Sequence, residues 1–225
     1  MAALRNERLR MASRVDFNGN QCYAWLESSM STVYTIGHSA HTWEEFAGLL
    51  AGQQVDVIVD TRSAPYSRFA PQFDREIMQK KLTANGIKYI FLGAELGGRP
   101  ADPAYYDKNG HVLYGRIKSD RAFVGGMERL ERGIAAFRVA LLCGEEDPAH
   151  CHRRLLVGRV LTEHGHELLH IRADGRLQTD AQVAAESGKP LESGQPALFA
   201  ELDEDQWRST ASVLPKKAPA SSSAH

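Results

Sequence analysis

The sequence predicts a three-layer α/β domain with a mainly parallel sheet of about five strands. Two observations favour this class. Between residues 33 and 171, short runs of β-branched and apolar residues alternate with stretches whose apolar residues recur at helical spacing. The chain of 225 residues is also 43% hydrophobic, which is enough for one substantial core. Because parallel strands are joined by right-handed crossovers, the residues that follow each strand should gather at one edge of the sheet.

The first half of this pattern holds three predicted strands and two predicted helices. The first helix should begin after Thr42, because Glu45 stands at the capping-box position, and it should end at Gly52. The second should begin after Asp74 and end near Gly86, which is a usual helix stop. The predicted strands are residues 33–36, 55–60 and 88–92.

The second half begins with residues 93–118, which are rich in Gly, Pro, Tyr and Asp and show no period. A connection of this length inside a compact domain is usually functional or mobile. A helix capped by Ser119 or Asp120 is predicted next, with its end near Gly133. The last predicted elements are a strand at 139–143, a helix that ends at Gly165 and a strand at 167–171.

The two ends of the chain lack this pattern. Residues 1–29 show no clear strand, so we expect an extension that is disordered or loosely packed, and Met30 is an alternative start of the native chain. The α/β domain is assigned to residues 30–173. Gly, Ser, Pro and Ala dominate residues 174–225, which predicts a largely disordered tail with one short helix at 198–207.

Composition limits the classes of function. The formal net charge is −1, so no global basic field favours nucleic acid or an anionic membrane, although local basic clusters remain possible. Three cysteines without a secretory signal favour a reducing, cytoplasmic location over a disulfide scaffold. No apolar run approaches the roughly 18 residues of a membrane span, so no membrane partner is expected. The oligomeric state is left open.

Side chains suited to chemistry follow the predicted strands. The loop at 144–153 after the fourth strand holds far more of them than a turn needs. If the strands are parallel, the residues that follow them, although remote in sequence, should share one rim of the sheet. They are His38 and Ser39 after the first strand, Asp60, Arg62 and Ser63 after the second, Glu95 after the third, and Cys143, Glu145, Cys151, His152 and Arg153 at the fourth.

Several of these runs resemble, in the same order, the motifs of the domain-of-unknown-function 488 family of bacterial and archaeal proteins. The resemblance covers roughly residues 33–171 and implies a small α/β domain with a Rossmann-like sheet. It implies a fold and no reaction, because the name of the family records no activity. The matching runs are T-I-G-H-S at 35–39, V-D-T-R-S at 59–63, S-R-F at 67–69, P-Q-F at 71–73, E-L-G-G-R at 95–99, and C-G-E with C-H-R-R between 143 and 154.

The arginines among these residues indicate an anion site. Arg153, with the free N–H groups at the start of a helix, suits a phosphate, and Arg62 and Arg68 could add bidentate hydrogen bonds. The alternative is that Arg62 pairs with Asp60 or Glu145 only to satisfy a buried carboxylate. Aromatic residues near these arginines would either stack on a base or cover the edge of the sheet. They are Tyr66, Phe69 and Phe73.

Carboxylates are the second ingredient of the predicted site. Glu145 and then Asp60 are assigned acid, base or nucleophilic work, with His38 assisting, since a pair of carboxylates is what glycosidic bond cleavage uses. The leading hypothesis is therefore an enzyme that acts on a phosphate-bearing nucleotide or nucleic-acid component by hydrolysis or group transfer at a glycosidic-type bond. Motifs for phosphate-binding loops, dinucleotide binding and serine hydrolysis are absent from the sequence.

The cysteines support other hypotheses. Cys151 precedes Arg153 at a predicted helix start, which would lower the pKa of its thiol and make it a nucleophile, whereas Cys143 ends an apolar strand and suits a buried structural role. Two thiolates and the His152 imidazole also suit zinc, but their spacing matches no standard zinc pattern, so no metal or other cofactor is predicted. A third hypothesis is a non-catalytic module that binds a nucleotide or nucleic acid.

Overall fold

The computed structural model describes residues 8–15, 21–28, 30–188 and 206–213 of the chain. Strands β1 (Arg8–Val15) and β2 (Gln21–Ser28) pair antiparallel in a separate two-stranded sheet. The prediction that residues 1–29 hold no clear strand is wrong for these two segments. Leu9, Met11 and Val15 alternate with arginines. This two-residue period is typical of a strand.

A second sheet of six strands organises the rest of the chain. Its order is β5-β4-β6-β3-β7-β8, in which the first five strands are parallel and β8 is antiparallel to β7. The prediction of a mainly parallel sheet with helices on both faces is therefore confirmed. The strands are β3 (Thr32–Gly37), β4 (Val57–Asp60), β5 (Lys88–Phe91), β6 (Val139–Cys143), β7 (Glu167–Ile171) and β8 (Leu177–Thr179).

Helices join these strands. Short turns of 3₁₀ helix occur at Pro71–Phe73, Pro103–Tyr105 and Pro148–His150, and a π-helical turn at Arg153–Gly158 precedes α6. The α-helices are α1 (Trp43–Gly52), α2 (Arg75–Ala84), α3 (Gly93–Leu96), α4 (Tyr114–Lys118), α5 (Arg121–Ile134), α6 (Arg159–Glu163) and α7 (Asp180–Ser187).

The core lies on both faces of the sheet, because successive strand residues point to opposite sides. On one face, Val57 and Leu141 pack with residues of α5 such as Phe123. On the other, Ile58 and Leu142 pack with α1, α2 and Phe73, among other residues. Each fully buried side chain of this size contributes about 1.5–3 kcal/mol relative to exposure, so the three-layer packing supplies the main driving force.

Helix starts follow the capping chemistry of the sequence. Thr42 and Glu45 form the predicted capping box, with the Glu45 N–H donating to Thr42 Oγ1 over 3.2 Å. Asp120, rather than Ser119, caps α5, since its carboxylate accepts from Ala122 N over 2.7 Å. The aperiodic stretch 93–118 contains the short helices α3 and α4, and helices of one turn are too short to show a period.

The predicted domain boundary at residue 173 falls too early. Strand β8 and helix α7 extend the ordered unit, and the segment 206–213 also packs on it, where Trp207 Nε1 donates to Leu155 O over 2.8 Å. The helix predicted at 198–207 lies outside the described residues except for its last two, which lie in a turn. In the part of the chain that the structure describes, no helix has the length and apolar character needed to cross a bilayer.

Candidate functional site

Three neighbouring strands end at a crevice in the sheet. The chain leaves β3 and β4 toward the face covered by α1 and α2, and it leaves β6, which lies between them, toward the face covered by α6. Diverging connections of this kind open a crevice at the carboxyl ends of parallel strands. A cavity of about 510 Å³ lies there. Its lining includes His38, Arg62, Cys143, Glu145, Cys151 and His152.

Backbone hydrogen bonds join the loops that follow β3 and β6 beyond the ends of these strands. His38 N donates to Cys143 O, and Ser39 N donates to Gly144 O, each over 3.0 Å. Gly37 is required for this approach, because a Cβ atom added there would lie 1.9 Å from the carbonyl oxygen of Glu145. The loop after β6 therefore rests directly on the end of β3, as the shared rim predicted from the sequence requires.

Asp60 and Arg62 form a closed, buried ion pair. Arg62 Nε and Nη2 donate to the two carboxylate oxygens over 2.9 and 2.7 Å, and Tyr89 Oη donates to Asp60 Oδ2 over 2.6 Å. Burial, and then the Asp60 carboxylate, raise the pKa of Tyr89. Asp60 is fully buried and is not among the residues that line the cavity. Arg62 therefore satisfies a buried carboxylate, which is compatible with a further role at the cavity that it lines. Asp60 is too deeply buried for the acid, base or nucleophilic role that the sequence predicts.

Arg153 is an anchor for the reactive loop. It is fully buried, and its guanidinium donates to Glu145 O, to Glu146 O over 2.5 Å and to Thr35 Oγ1 over 3.3 Å. The next residue, Arg154, is also buried and pairs with Asp180 over 2.6 Å. The sequence predicts an anion ligand at Arg153, and these contacts, all within the protein, correct that role. Both arginines lie in the π-helical turn and are buried there.

Cys143, Cys151 and His152 meet at the floor of the cavity. His152 Nε2 donates to Thr61 O over 2.9 Å, so its Nδ1 carries the lone pair in the neutral ring. This Nδ1 atom lies 3.7 Å from Cys143 Sγ and 3.9 Å from Cys151 Sγ. Both cysteines are free thiols and buried. Gly98 permits the neighbouring loop to pack on the imidazole, because a Cβ atom there would lie 2.5 Å from the ring.

The electrostatics of the two thiols differ from the sequence prediction. The neighbouring Cys151 side chain, and after it His152, lower the pKa of the Cys143 thiol, although burial opposes them. Burial raises the pKa of Cys151. Cys143 is thus the sulfur favoured as thiolate, where the sequence favoured Cys151. The predicted effect of a helix start on Cys151 is outweighed because its side chain is almost completely removed from water.

His38 and Glu145 face the same cavity from another side. The His38 ring stacks on Phe73 at 4.6 Å between centroids, and its Nδ1 donates to Ser39 O over 2.9 Å, which leaves Nε2 as an acceptor. Burial lowers the pKa of His38 and so favours this neutral form. Glu145 is exposed at the cavity, and its Oε1 accepts from Asp147 N over 3.3 Å. An acceptor imidazole and an accessible carboxylate are therefore both available to a bound molecule.

The remaining predicted residues divide into two groups. Ser63 lines the cavity and its Oγ accepts from Arg99 N over 3.0 Å, whereas Ser39 serves the loop through its backbone. Arg68 lies over the ring of Phe69, and Glu95 pairs with Arg129 over 2.5 Å. Neither Arg68 nor Glu95 lines the cavity.

The cavity also has lining residues that the sequence did not predict. Arg99 belongs to the E-L-G-G-R run and could have been inferred from it. Tyr114 lies in the stretch without a period, and His150 lies inside the loop already singled out. The segment 206–213 supplies part of the wall through Ser209 and Val213, among others, and no local pattern in the sequence indicates this.

A second cavity, of about 300 Å³, lies between β4, β5 and α5. Its wall is mostly apolar, with Lys88, Arg129 and Arg132 among its lining residues, and it contains no thiol, imidazole or carboxylate. Of these two cavities, the one at the carboxyl edge of the sheet holds the thiols, the imidazoles and the carboxylate.

Fold and site together define a three-layer α/β protein with a polar cavity at the switch in strand connections. A family model described as Domain of unknown function DUF488 matches residues 42–160, slightly more than half of the chain. The chain belongs to this family. No curated protein and no solved structure matches the chain.

Proposed function

We propose that the protein is an enzyme that binds a phosphate-bearing nucleotide or nucleic-acid component in the cavity at the carboxyl edge of the sheet. The proposed reaction is hydrolysis or group transfer at a glycosidic-type bond. One observation carries this proposal: two arginines, Arg62 and Arg99, line the same cavity as a single accessible carboxylate, Glu145, and the His38 imidazole.

The wall of the cavity suits an anion attached to an aromatic group. Arg99 is exposed, and Arg62 lines the cavity while its Nε and Nη2 donate to Asp60. Arginine is well suited to phosphate because its planar group donates two parallel hydrogen bonds. Tyr66, which is 57% exposed, also lines the cavity and offers a ring on which a base could stack. A volume of about 510 Å³ is within the range of small-molecule sites.

The proposal uses one carboxylate instead of the predicted pair, because Glu145 lines the cavity and Asp60 does not. In the proposed hydrolysis, Glu145 takes a proton from water as the water oxygen attacks the sugar carbon. The bond to the leaving group then breaks, and the leaving group keeps the bonding electron pair and gains a proton. Because His38 Nε2 is unprotonated in the neutral ring, its proposed role is to accept the proton that Glu145 takes from water and to pass it to the leaving group. Asp60 is not given this role, since it is fully engaged by Arg62 and Tyr89.

The proposal is tested by incubating the full-length protein with nucleosides and nucleoside 5′-monophosphates and measuring released base by mass spectrometry. Glu145→Gln should reduce the rate by about 10²–10⁴-fold, the usual contribution of a general acid or base. Glu128→Gln is the matched control, because Glu128 is an exposed acid on α5 that does not line the cavity. Unchanged turnover in Glu145→Gln would contradict the assignment, and tight binding without product would favour a binding module.

A second candidate function is a thiol-dependent enzyme. It is favoured by two free thiols that share a histidine partner at the cavity, with sulfur to nitrogen distances of 3.7 and 3.9 Å. In this reading Cys143 is the nucleophile in place of Cys151. Loss of turnover in Cys143→Ser, with turnover retained in Glu145→Gln, would favour this candidate over glycosidic cleavage.

A further inference from the structure

The cluster at the floor of the cavity has the dimensions of a metal site. The Nδ1 atom of His152 lies 3.7 Å from Cys143 Sγ and 3.9 Å from Cys151 Sγ, and all three atoms lie within 4.8 Å of one another. In tetrahedral zinc sites, bond lengths of about 2.3 Å to sulfur and 2.0–2.1 Å to nitrogen separate these ligand atoms by about 3.6 Å. The side chains therefore need to move little to enclose an ion.

The orientation of His152 is already fixed for ligation. Its Nε2 donates to Thr61 O over 2.9 Å, which directs the Nδ1 lone pair toward the two sulfur atoms. A histidine that binds a metal almost always donates its other ring N–H to a carbonyl or a carboxylate in this way. The glycine at position 98 lets the neighbouring loop press on the ring, because a Cβ atom there would lie 2.5 Å from it.

Charge and ligand type narrow the choice of ion. Two thiolates balance the charge of a divalent cation, so the site can be buried without an uncompensated charge. Thiolate and imidazole ligands together suit zinc, whereas calcium and magnesium require oxygen ligands. Among the residues that the structure describes, no fourth His, Cys, Asp or Glu joins this group. All three side chains line the cavity, so the remaining coordination position faces the proposed substrate.

We infer that Cys143, Cys151 and His152 bind one zinc ion with its open position toward the cavity. The catalytic meaning of this site rests on the proposed function: such an ion supplies Lewis-acid chemistry to a substrate oxygen or to water. The arrangement of three protein ligands and one open position is typical of catalytic zinc sites, whereas structural zinc sites have four protein ligands.

The metal is tested on the full-length protein without any substrate. The protein is stripped with a chelator, reloaded with excess zinc and desalted, and its zinc content is measured by mass spectrometry. We expect about one zinc ion per chain, as for a single site of this type. Cobalt loading of the wild type should also give a sulfur-to-cobalt charge-transfer band in the near ultraviolet, and this measurement needs no variant.

Variants with matched controls identify the ligands. Cys143→Ser, Cys151→Ser and His152→Ala should each lower zinc affinity by more than about 100-fold, the upper end for loss of an outer-shell partner alone. Cys22→Ser and His150→Ala should keep full zinc content, because Cys22 lies in the separate sheet and His150 lines the cavity outside the cluster. Circular dichroism identifies any variant that fails to fold. For such a variant, the cobalt spectrum of the wild type decides whether sulfur binds the metal.

Two results would overturn the inference. The first is a folded wild type that binds no zinc after loading, or that shows no sulfur band with cobalt. The second is equal zinc content in folded Cys143→Ser and in the wild type. Because zinc is measured without substrate, these failures are distinct from failure of the proposed reaction, in which zinc would be bound but no nucleotide would be cleaved.

Discussion

Two polar clusters lie at the same edge of the sheet and differ in how completely their groups are partnered. In the Asp60 cluster, the carboxylate accepts from Arg62 and Tyr89, and all of its polar contacts lie inside the protein. In the cysteine cluster, two sulfur atoms and one nitrogen face one another and the cavity at 3.7 and 3.9 Å. A charged group after a strand, such as Asp60, can therefore serve the stability of the fold. The weakly bonded thiols and imidazole beside it remain available to a ligand.

Breaking the Asp60 cluster should have the largest effect on stability. Asp60→Asn leaves the buried Arg62 charge without its partner, and breaking a buried pair in this way costs about 3–5 kcal/mol. Cys143→Ala removes one sulfur atom and should cost only about 1 kcal/mol. The free energy of unfolding in urea measures both. Equal losses in the two variants would contradict the view that the Asp60 cluster stabilises the fold and the cysteine cluster does not.

Separating the loop after β6 from the end of β3 should have the next largest effect on stability. Gly37→Ala places a methyl group 1.9 Å from Glu145 O and must displace the loop after β6. Overpacking of this kind typically costs about 1–3 kcal/mol, and we also expect loss of turnover and of zinc. Gly48→Ala is the control, because nothing lies within 4 Å of a Cβ atom at that position in α1, and it should gain about 0.5–1 kcal/mol. Intact turnover in folded Gly37→Ala would show that the loops do not need this contact.

Asp180 forms a third polar cluster with Arg154 and His170, and acid should weaken these ion pairs. Burial opposes the charge of Asp180, but the hydrogen bonds from these partners outweigh it and lower the pKa of the carboxyl group. A folded-state pKa below the unfolded value gives stability that is present above about pH 4 and is lost as pH falls through the folded pKa. The difference in unfolding free energy between the wild type and Asp180→Asn should therefore shrink below about pH 4. A difference that stays constant from pH 7 to pH 3 would contradict this linkage.

The smallest effect is expected for a predicted site residue that the fold keeps away from the cavity. Glu95 pairs with Arg129, whose side chain is 50% exposed, so solvent screens the pair. Glu95→Ala should change the free energy of unfolding by less than about 1 kcal/mol and should leave turnover and zinc content unchanged. A large loss of turnover in this variant would show that Glu95 acts in the reaction.

The sheet was predictable because its signals are local. Apolar runs at β3, β4, β6 and β7 and the capping residues Thr42 and Asp120 depend only on neighbours in sequence. Strand β8 was missed because three residues are too few to show a period, and its place depends on pairing with β7. The packing of 206–213 on the domain likewise depends on contacts with distant residues, such as Leu155.

The site was predictable in position but not in the roles of its residues. Parallel strands require the residues after β3, β4 and β6 to meet, and His38, Arg62 and Glu145 do so. Which charged group is buried depends on side-chain direction, which the sequence does not reveal, so Asp60 and Arg153 were expected to contact the ligand. The separation of Cys143 from Cys151 along the chain likewise concealed that their sulfur atoms meet at one histidine.

Diffraction from crystals of zinc-loaded protein, measured on both sides of the zinc absorption edge, tests the distinction between the two clusters most directly. We expect one strong anomalous peak about 2.3 Å from both sulfur atoms and 2.0–2.1 Å from His152 Nδ1, with the Asp60 to Arg62 pair unchanged. A map with no anomalous peak among Cys143, Cys151 and His152, or with zinc held at Asp60, would contradict it.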